Sequence, residues 1–196
     1  MNESIRFELN DGVAVIHLDD QKANALTPVT LSALTDALAR AKKDATAVVL
    51  VGRPGRFSAG FDLKVMSSGP DAATALVKTG CNFFMELFAH PQPVVAACTG
   101  HAVAGGAAML LCADYRVGVE GDFSIGFNEV KIGLPMPIFI SQLARERLSR
   151  TSLCDATLLA RMFSPAEAVT AGFLDEAVAP DELVSKSIAG SPSVAI

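Results

Sequence analysis

"GHAVAGGAAMLLCAD", residues 100–114, enters a helix in an unusual way. Gly105 and Gly106 stand side by side in a run of small residues, and no charge appears until Asp114. Glycine costs helix stability, so bare backbone here implies a use for exposed peptide N–H groups or for close approach. On one side lies "VVAAC" (94–98), an apolar run with the length of a strand buried on both faces. On the other, "YRVGVE" (115–120) reads as a further strand, and the helix between them covers about 105–112. Strands alternating with helices argue for an α/β fold with a largely parallel sheet.

The rest of the chain follows the same alternation. "IRFEL" and "VAVIHL" joined by "NDG" predict a hairpin. Thr27–Pro28 supplies a cap and a first helical residue, and Leu31, Leu34, Leu38 and Ala41 form one apolar stripe behind it. "AVVLVG" (47–52) predicts a buried strand, "RPGRFSAGFDL" (53–63) a loop, and residues 71–89 a long helix closed by His90–Pro91. "GDFSIGFNEVKIGLPMP" (121–137) is irregular, and helices are expected near 138–148, near 150–160 and from the capping box Ser164–Glu167. No internal repeat is visible. A core domain over 1–180 and a short tail over 181–196 complete the expected organisation.

The chain has 196 residues, about half of them apolar, and a net charge of −5, which argues against electrostatic binding of nucleic acid. Cys81, Cys98, Cys112 and Cys154 form no CxxC pair and lack a histidine at metal-ligand spacing, so they read as buried free thiols in a reducing compartment. "MNESIRFELNDG" has no signal-peptide apolar core and no run is long enough to span a membrane, so the expected location is the cytoplasm.

"FSAGFDL" and "HAVAGGAA" each follow a buried strand, and such strand ends are where α/β sheets bind ligands. Two N–H groups from separate loops could converge on one oxygen. Taken singly, either loop reads better as a turn that only permits tight packing. Neither has the spacing of a nucleotide-binding loop.

In number, order and spacing, "KANAL", "GRFSAGFDL", "PVVAACTGHAVAGGAAMLLCADYRVG", "FSIGFNEVKIGLPMP" and "SPAEAVTAGFLDEAV" resemble the crotonase (enoyl-CoA hydratase/isomerase) superfamily over roughly Lys22 to Val178. The resemblance implies a spiral of ββα units with a shortened helical C-terminal region. It implies an acyl-coenzyme A substrate whose thioester oxygen is held by the N–H groups of Phe61 and Gly105. It also implies contacts to substrate or coenzyme A from Lys22, Ala23, Ser58, Ala59, Asp62, Lys64 and Gly106, no metal, and no cofactor beyond the coenzyme A of the substrate. Arg56 could meet phosphate, and is as readily a solvated surface charge. A homotrimer or homohexamer is the implied assembly.

Hydratases of this family use two glutamates. Here the first position is Ala108, and the second is Glu129 in "GFNEVKIG". One carboxylate suffices to shuttle a proton, which points to a Δ3,Δ2-enoyl-CoA isomerase. Hydration or another acyl-CoA reaction is the sibling reading, and a catalytically silent acyl-CoA-binding or scaffold protein the reading from a different class. Phe127 and Leu134 are expected to raise the pKa of Glu129. His101, beside the glycine loop, reads as structural, as do His17, His90 and Asp114. Met66, Met109 and Met136 read as core or pocket lining. Family members usually continue with further helices that build the trimer and cover the acyl pocket. For a chain ending at Ile196 three origins stay open: a naturally short member, a shortened piece, or a form whose neighbour supplies the lid.

Overall fold

The computed structural model describes residues 4–189. Strands β1 (Ile5–Asn10) and β2 (Val13–Leu18) form the hairpin, with Asn10 paired to Val13. Asp11 and Gly12 both have positive φ, 48° and 82°, as a two-residue turn between right-twisted strands requires. Beyond β3 (Ala25–Leu26), helix α1 (Pro28–Asp44) starts at Thr27, whose hydroxyl accepts the Thr30 N–H. Leu31, Leu34, Leu38 and Ala41 are all buried, as the stripe predicts, and so is every residue of β4 (Ala47–Val51).

The stretch 53–63, expected as a loop, instead contains two short strands, β5 (Gly55–Ser58) and β6 (Gly60–Phe61), and leads into helix α2 (Leu63–Met66). Helix α3 (Pro70–Phe88), β7 (Val94–Cys98), β8 (Gly100–Val103), α4 (Gly105–Cys112) and β9 (Tyr115–Val119) follow. The irregular segment holds β10 (Ile125–Gly126) and a 3₁₀ turn at Val130–Ile132. Helices α5 (Ile138–Arg147), α6 (Arg150–Thr157) and α7 (Pro165–Ala171), strand β11 (Glu176–Val178) and helix α8 (Leu183–Ala189) close the described chain. The capping box at Ser164 and Glu167 is formed.

The large sheet has the order β1-β2-β4-β7-β9-β11, antiparallel in the first pair and parallel thereafter. A second, wholly parallel sheet has the order β10-β8-β5. The three circuits that start from β4, β7 and β9 each lay one strand on the large sheet, turn a corner, lay one on the small sheet and return through helix, while β3 of the first circuit pairs with β6 in a separate two-stranded sheet. This is a spiral of ββα turns. Its repeat is structural, because a circuit needs only a buried strand and a tight corner, which different residues supply each time. At one corner Gly100 lies directly on the Gly55 backbone, where a Cβ would collide, and Gly55 donates to the Thr99 carbonyl at 2.9 Å.

The main core fills the space between the large sheet and α1, α3 and α4, with Phe83, Phe84 and Leu87 of α3 fully buried. The opposite face of the sheet carries Val49, Val95, Ala97 and Val117, and Leu183 of α8 joins them. The described part of the expected tail is thus a helix lying against β4, β7 and β9, and residues 190–196 of that tail lie outside the described residues. Arg116, 7% exposed at its side chain, holds β9 to the end of α7 through Asp175 and the Gly172 carbonyl. Of the thiols, Cys98 and Cys112 are buried, with Cys98 pushed up to about 12 by desolvation, and Cys81 is half-buried. Cys154 is exposed, contrary to the expectation of burial, because it stands on the wall of an open groove between α5 and α6.

Candidate functional site

The site is assembled on Asn24, a residue to which the sequence reading gave no role. Its φ of 52° turns the chain, and its buried amide donates to the carbonyls of Leu18, Arg56 and Phe57 at 2.9–3.1 Å. Two N–H groups shared over three carbonyls lock the "KANAL" turn against β5. Asp20 winds the same turn tighter, since its carboxylate accepts the N–H groups of Lys22, Asn24 and Ala25. Asn at a positive φ in a turn was the available signal; its three partners, up to 33 residues away, were not.

Lys22 and Ala23 are thereby placed beside Ala59, whose N–H donates to the Ala23 carbonyl at 3.0 Å. Lys22 and Ala59 are exposed and Ala23 is half-buried, so this edge is open to a ligand. Lys64 and Arg56 are also exposed. Ser58 differs: it is fully buried, its hydroxyl donates to the Asn24 carbonyl and accepts the Gly60 N–H, and it braces the loop from beneath. Asp62 spends its Oδ1 on the N–H groups of Lys64 and Val65, capping α2.

Phe61 and Gly105 are brought together through their neighbours. Leu26 pairs with Phe61 between β3 and β6, and the Phe61 ring lies on α3 at Gly80 and against Phe84, with centroids 6.0 Å apart. Gly60 meets the Ala104–Gly105 link so closely that a Cβ on it would be 2.8 Å from the Gly105 nitrogen. Gly106 meets the Ser58 carbonyl even more tightly. Adjacent glycines at the start of α4 therefore serve close approach of two backbones. Ala104, just before them, has φ 53° and ψ −120°, a strained conformation for a residue with a side chain.

Glu129 reaches the same region through β10. Ala104 donates to the Gly126 carbonyl at 3.0 Å, and three residues at about 3.5 Å each keep Glu129 within roughly 10 Å of that bond along the chain. The main-chain carbonyl of Glu129 accepts from Ile132 and Leu134, closing the turn that follows. Its carboxylate is partly buried, and Oε2 is shielded with no hydrogen-bond partner among the described residues. Desolvation raises the pKa of Glu129 above the usual carboxylate range, opposed less strongly by the backbone N–H groups of Glu129 and Asn128. Ala108, fully buried one turn into α4, contributes a methyl group and no acid.

Beyond Glu129, a groove of about 510 Å³ is lined by Val130, Met136, Leu153 and Leu158, with Arg145 and Arg150 also on its wall. Its lining comes from the 3₁₀ turn, α5 and α6, segments whose meeting the sequence does not reveal. Among the described residues no three His, Cys, Asp or Glu side chains are grouped to hold a metal ion. No described helix is long and apolar enough to cross a membrane.

Stacked ββα turns, with two glycine loops in contact at the ends of successive strands, define the crotonase-like class of fold. The chain belongs to the enoyl-CoA hydratase/isomerase family, whose model matches residues 8–193. It is 44% identical to a structurally characterised enoyl-CoA hydratase/isomerase family protein from Pseudomonas syringae, with a TM-score of 0.94 over 96% of this chain and 82% of that one. It is 32% identical to mouse mitochondrial enoyl-CoA delta isomerase 1, over 90% of this chain and 63% of that protein. It is 29% identical to carnitinyl-CoA dehydratase of Salmonella enteritidis, over 95% of this chain and 72% of that protein. The chain thus spans less than two thirds of the mouse isomerase.

Proposed function

We propose that the protein moves the double bond of a 3-enoyl-CoA to the 2 position. In this reading the N–H groups of Phe61 and Gly105 hold the thioester oxygen. Glu129 removes a proton from C2, the electron pair shifts through the C3–C4 double bond system as a dienolate, and the same carboxyl returns the proton to C4. The double bond then lies between C2 and C3, and no atom is gained or lost. Lys22, Ala23, Ala59 and Lys64 border the coenzyme A portion. A substrate of this kind brings its own coenzyme A, so the scheme uses no further cofactor.

The observation that carries this reading is the single shielded carboxylate. Glu129 has a buried oxygen without a partner, as a base awaiting a substrate proton would, and Ala108 offers no second acid. Likeness to the mouse isomerase supports the same choice, and likeness to the Salmonella dehydratase supports hydration or dehydration as the alternative. The two separate in one assay. Isomerisation to a conjugated 2-enoyl thioester raises ultraviolet absorbance, and hydration abolishes it. We expect isomerisation to outpace hydration, and Glu129→Gln to slow it by about 10²–10⁴. Equal rates of the two reactions, or an unimpaired Glu129→Gln, would overturn the assignment. Binding of acyl-CoA with no turnover of any thioester would establish the silent binder instead.

A trimer or dimer of trimers is the assembly we infer. Exposure of Ile138, Leu158 and Leu159, at 81%, 66% and 69%, supports an interface over α5 and α6. Light scattering of a fully active monomer would defeat it.

A further inference from the structure

His101 has an interaction that the reaction scheme leaves unused. It sits on β8, three residues before Ala104, and is half-buried. Its Nδ1 accepts the main-chain N–H of Ser124 at 3.0 Å, so that nitrogen carries no proton and Nε2 holds the ring hydrogen. The ring also stands edge-on to Phe123, centroids 5.3 Å apart.

Ser124 is where the chain enters β10. Its carbonyl accepts from Ala102 at 3.1 Å, and two residues later Gly126 accepts from Ala104. β10 has only two residues and lies at the edge of the small sheet. On its other side Ile125 exchanges two 2.9 Å bonds with Phe163, and the imidazole adds the side-chain tie at the strand's entry, on the side of β8. Glu129 follows this strand by three residues, with the buried Phe127 packed on Phe173 between them. We propose that His101 is the positioning residue for Glu129: its unprotonated Nδ1 anchors β10 to the strand that leads into the Gly105 loop, and protonating the ring releases the Glu129 segment. The catalytic part of this rests on Glu129 being the base.

The charged groups facing the ring favour the neutral form at ordinary pH. Desolvation lowers the His101 pKa most, Arg56 of the adjacent β5 strand lowers it further, and Asp122 opposes them. The tie therefore holds above the ordinary value of 6.5 and is lost as pH falls through the lowered folded-state pKa.

Three variants test this in the full chain. Asn carries an acceptor oxygen where histidine carries Nδ1 and cannot be protonated, Gln places its amide one bond too far out, and Phe has no acceptor. Hydrogen exchange of the segment 122–134, followed by mass spectrometry, is the readout that needs no turnover. With each rate divided by the intrinsic amide exchange rate at that pH, we expect protection to fall in the unmodified protein at acid pH, to be low at all pH values in His101→Phe and His101→Gln, and to stay high without that acid loss in His101→Asn. In isomerisation, His101→Phe should lower kcat by roughly tenfold with KM little changed, and His101→Asn should restore it. Unchanged exchange in His101→Phe overturns the tie. Unchanged kcat in His101→Phe, alongside a crippled Glu129→Gln, overturns the positioning role and leaves the isomerase reading intact. An unimpaired Glu129→Gln sinks that reading and the catalytic role of His101 with it, while exchange still decides the tie.

Discussion

A Cβ on Gly60 would lie 2.8 Å from the amide nitrogen of Gly105, and a Cβ on Gly105 would lie 3.3 Å from the Gly60 Cα. Two loops 45 residues apart in the chain are thus in backbone contact; Gly60 has no room for one more carbon, and Gly105 has room only if its neighbours shift by a few tenths of an ångström. Gly55 and Gly60 share a φ of +80°, but around Gly55 the space is open. That pair separates backbone strain from collision. Both alanine variants should lose about 1 kcal/mol from the positive φ. Gly60→Ala should in addition lower acyl-CoA turnover by about 10²–10³, the cost typical of losing one oxyanion donor, and Gly55→Ala should not. Steady-state kinetics beside urea denaturation checks it, and equal activity losses would refute the contact as the cause.

Glu129 should be a stability liability at neutral pH. Burial raises its folded-state pKa above the ordinary 4.5, so its contribution to stability is full below that value and is lost as pH rises through the raised folded value. Glu129→Gln is therefore expected to melt higher than the unmodified protein at pH 7, with the difference shrinking toward pH 4. Calorimetric scans across that range provide the test, and a variant less stable at pH 7 would contradict the burial argument.

Arg116 and Asp175 form a bidentate pair at 2.7 and 2.8 Å, with the arginine buried and the carboxylate 29% exposed. Arg116→Met should cost about 3 kcal/mol, toward the low end for a broken buried pair because Asp175 keeps some contact with water. The midpoint of urea unfolding reads this directly. A change under 1 kcal/mol would show that the pair is solvent-screened.

Ala104 holds φ 53° and ψ −120° immediately before the α4 helix. Releasing strain of about 1–3 kcal/mol offsets the extra freedom of glycine in the unfolded chain, so Ala104→Gly should be neutral or stabilising. Ala104→Val, β-branched at positive φ, should destabilise by about 2 kcal/mol or more. Melting temperatures of the two variants are compared with that of the unmodified protein; similar values would mean that the conformation carries no strain.

The elements legible from the residues alone are those whose signals are local. Ala47–Val51 and Val94–Cys98 are apolar at every position, and their length and flanking Gly and Pro mark them as strands covered on both faces. Thr27–Pro28 and Ser164–Glu167 start helices through bonds made within four residues. The glycine loops and the absence of an acid at Ala108 were legible for the same reason, since residue identity and order suffice. Strands β5, β6, β8 and β10 have two to four residues each and no periodicity to read, and they emerge only from long-range pairing. They are strands because neighbouring circuits of the spiral present unpaired N–H and C=O groups at the right height. Helix α8 lacks a readable apolar stripe and forms where the second face of the sheet needs cover. The threefold tie of Asn24, the collision of Gly60 with Gly105 and the unpartnered oxygen of Glu129 have the same origin. Each is a distance between residues far apart in sequence, and such distances exist only once the spiral has closed its turns on one another.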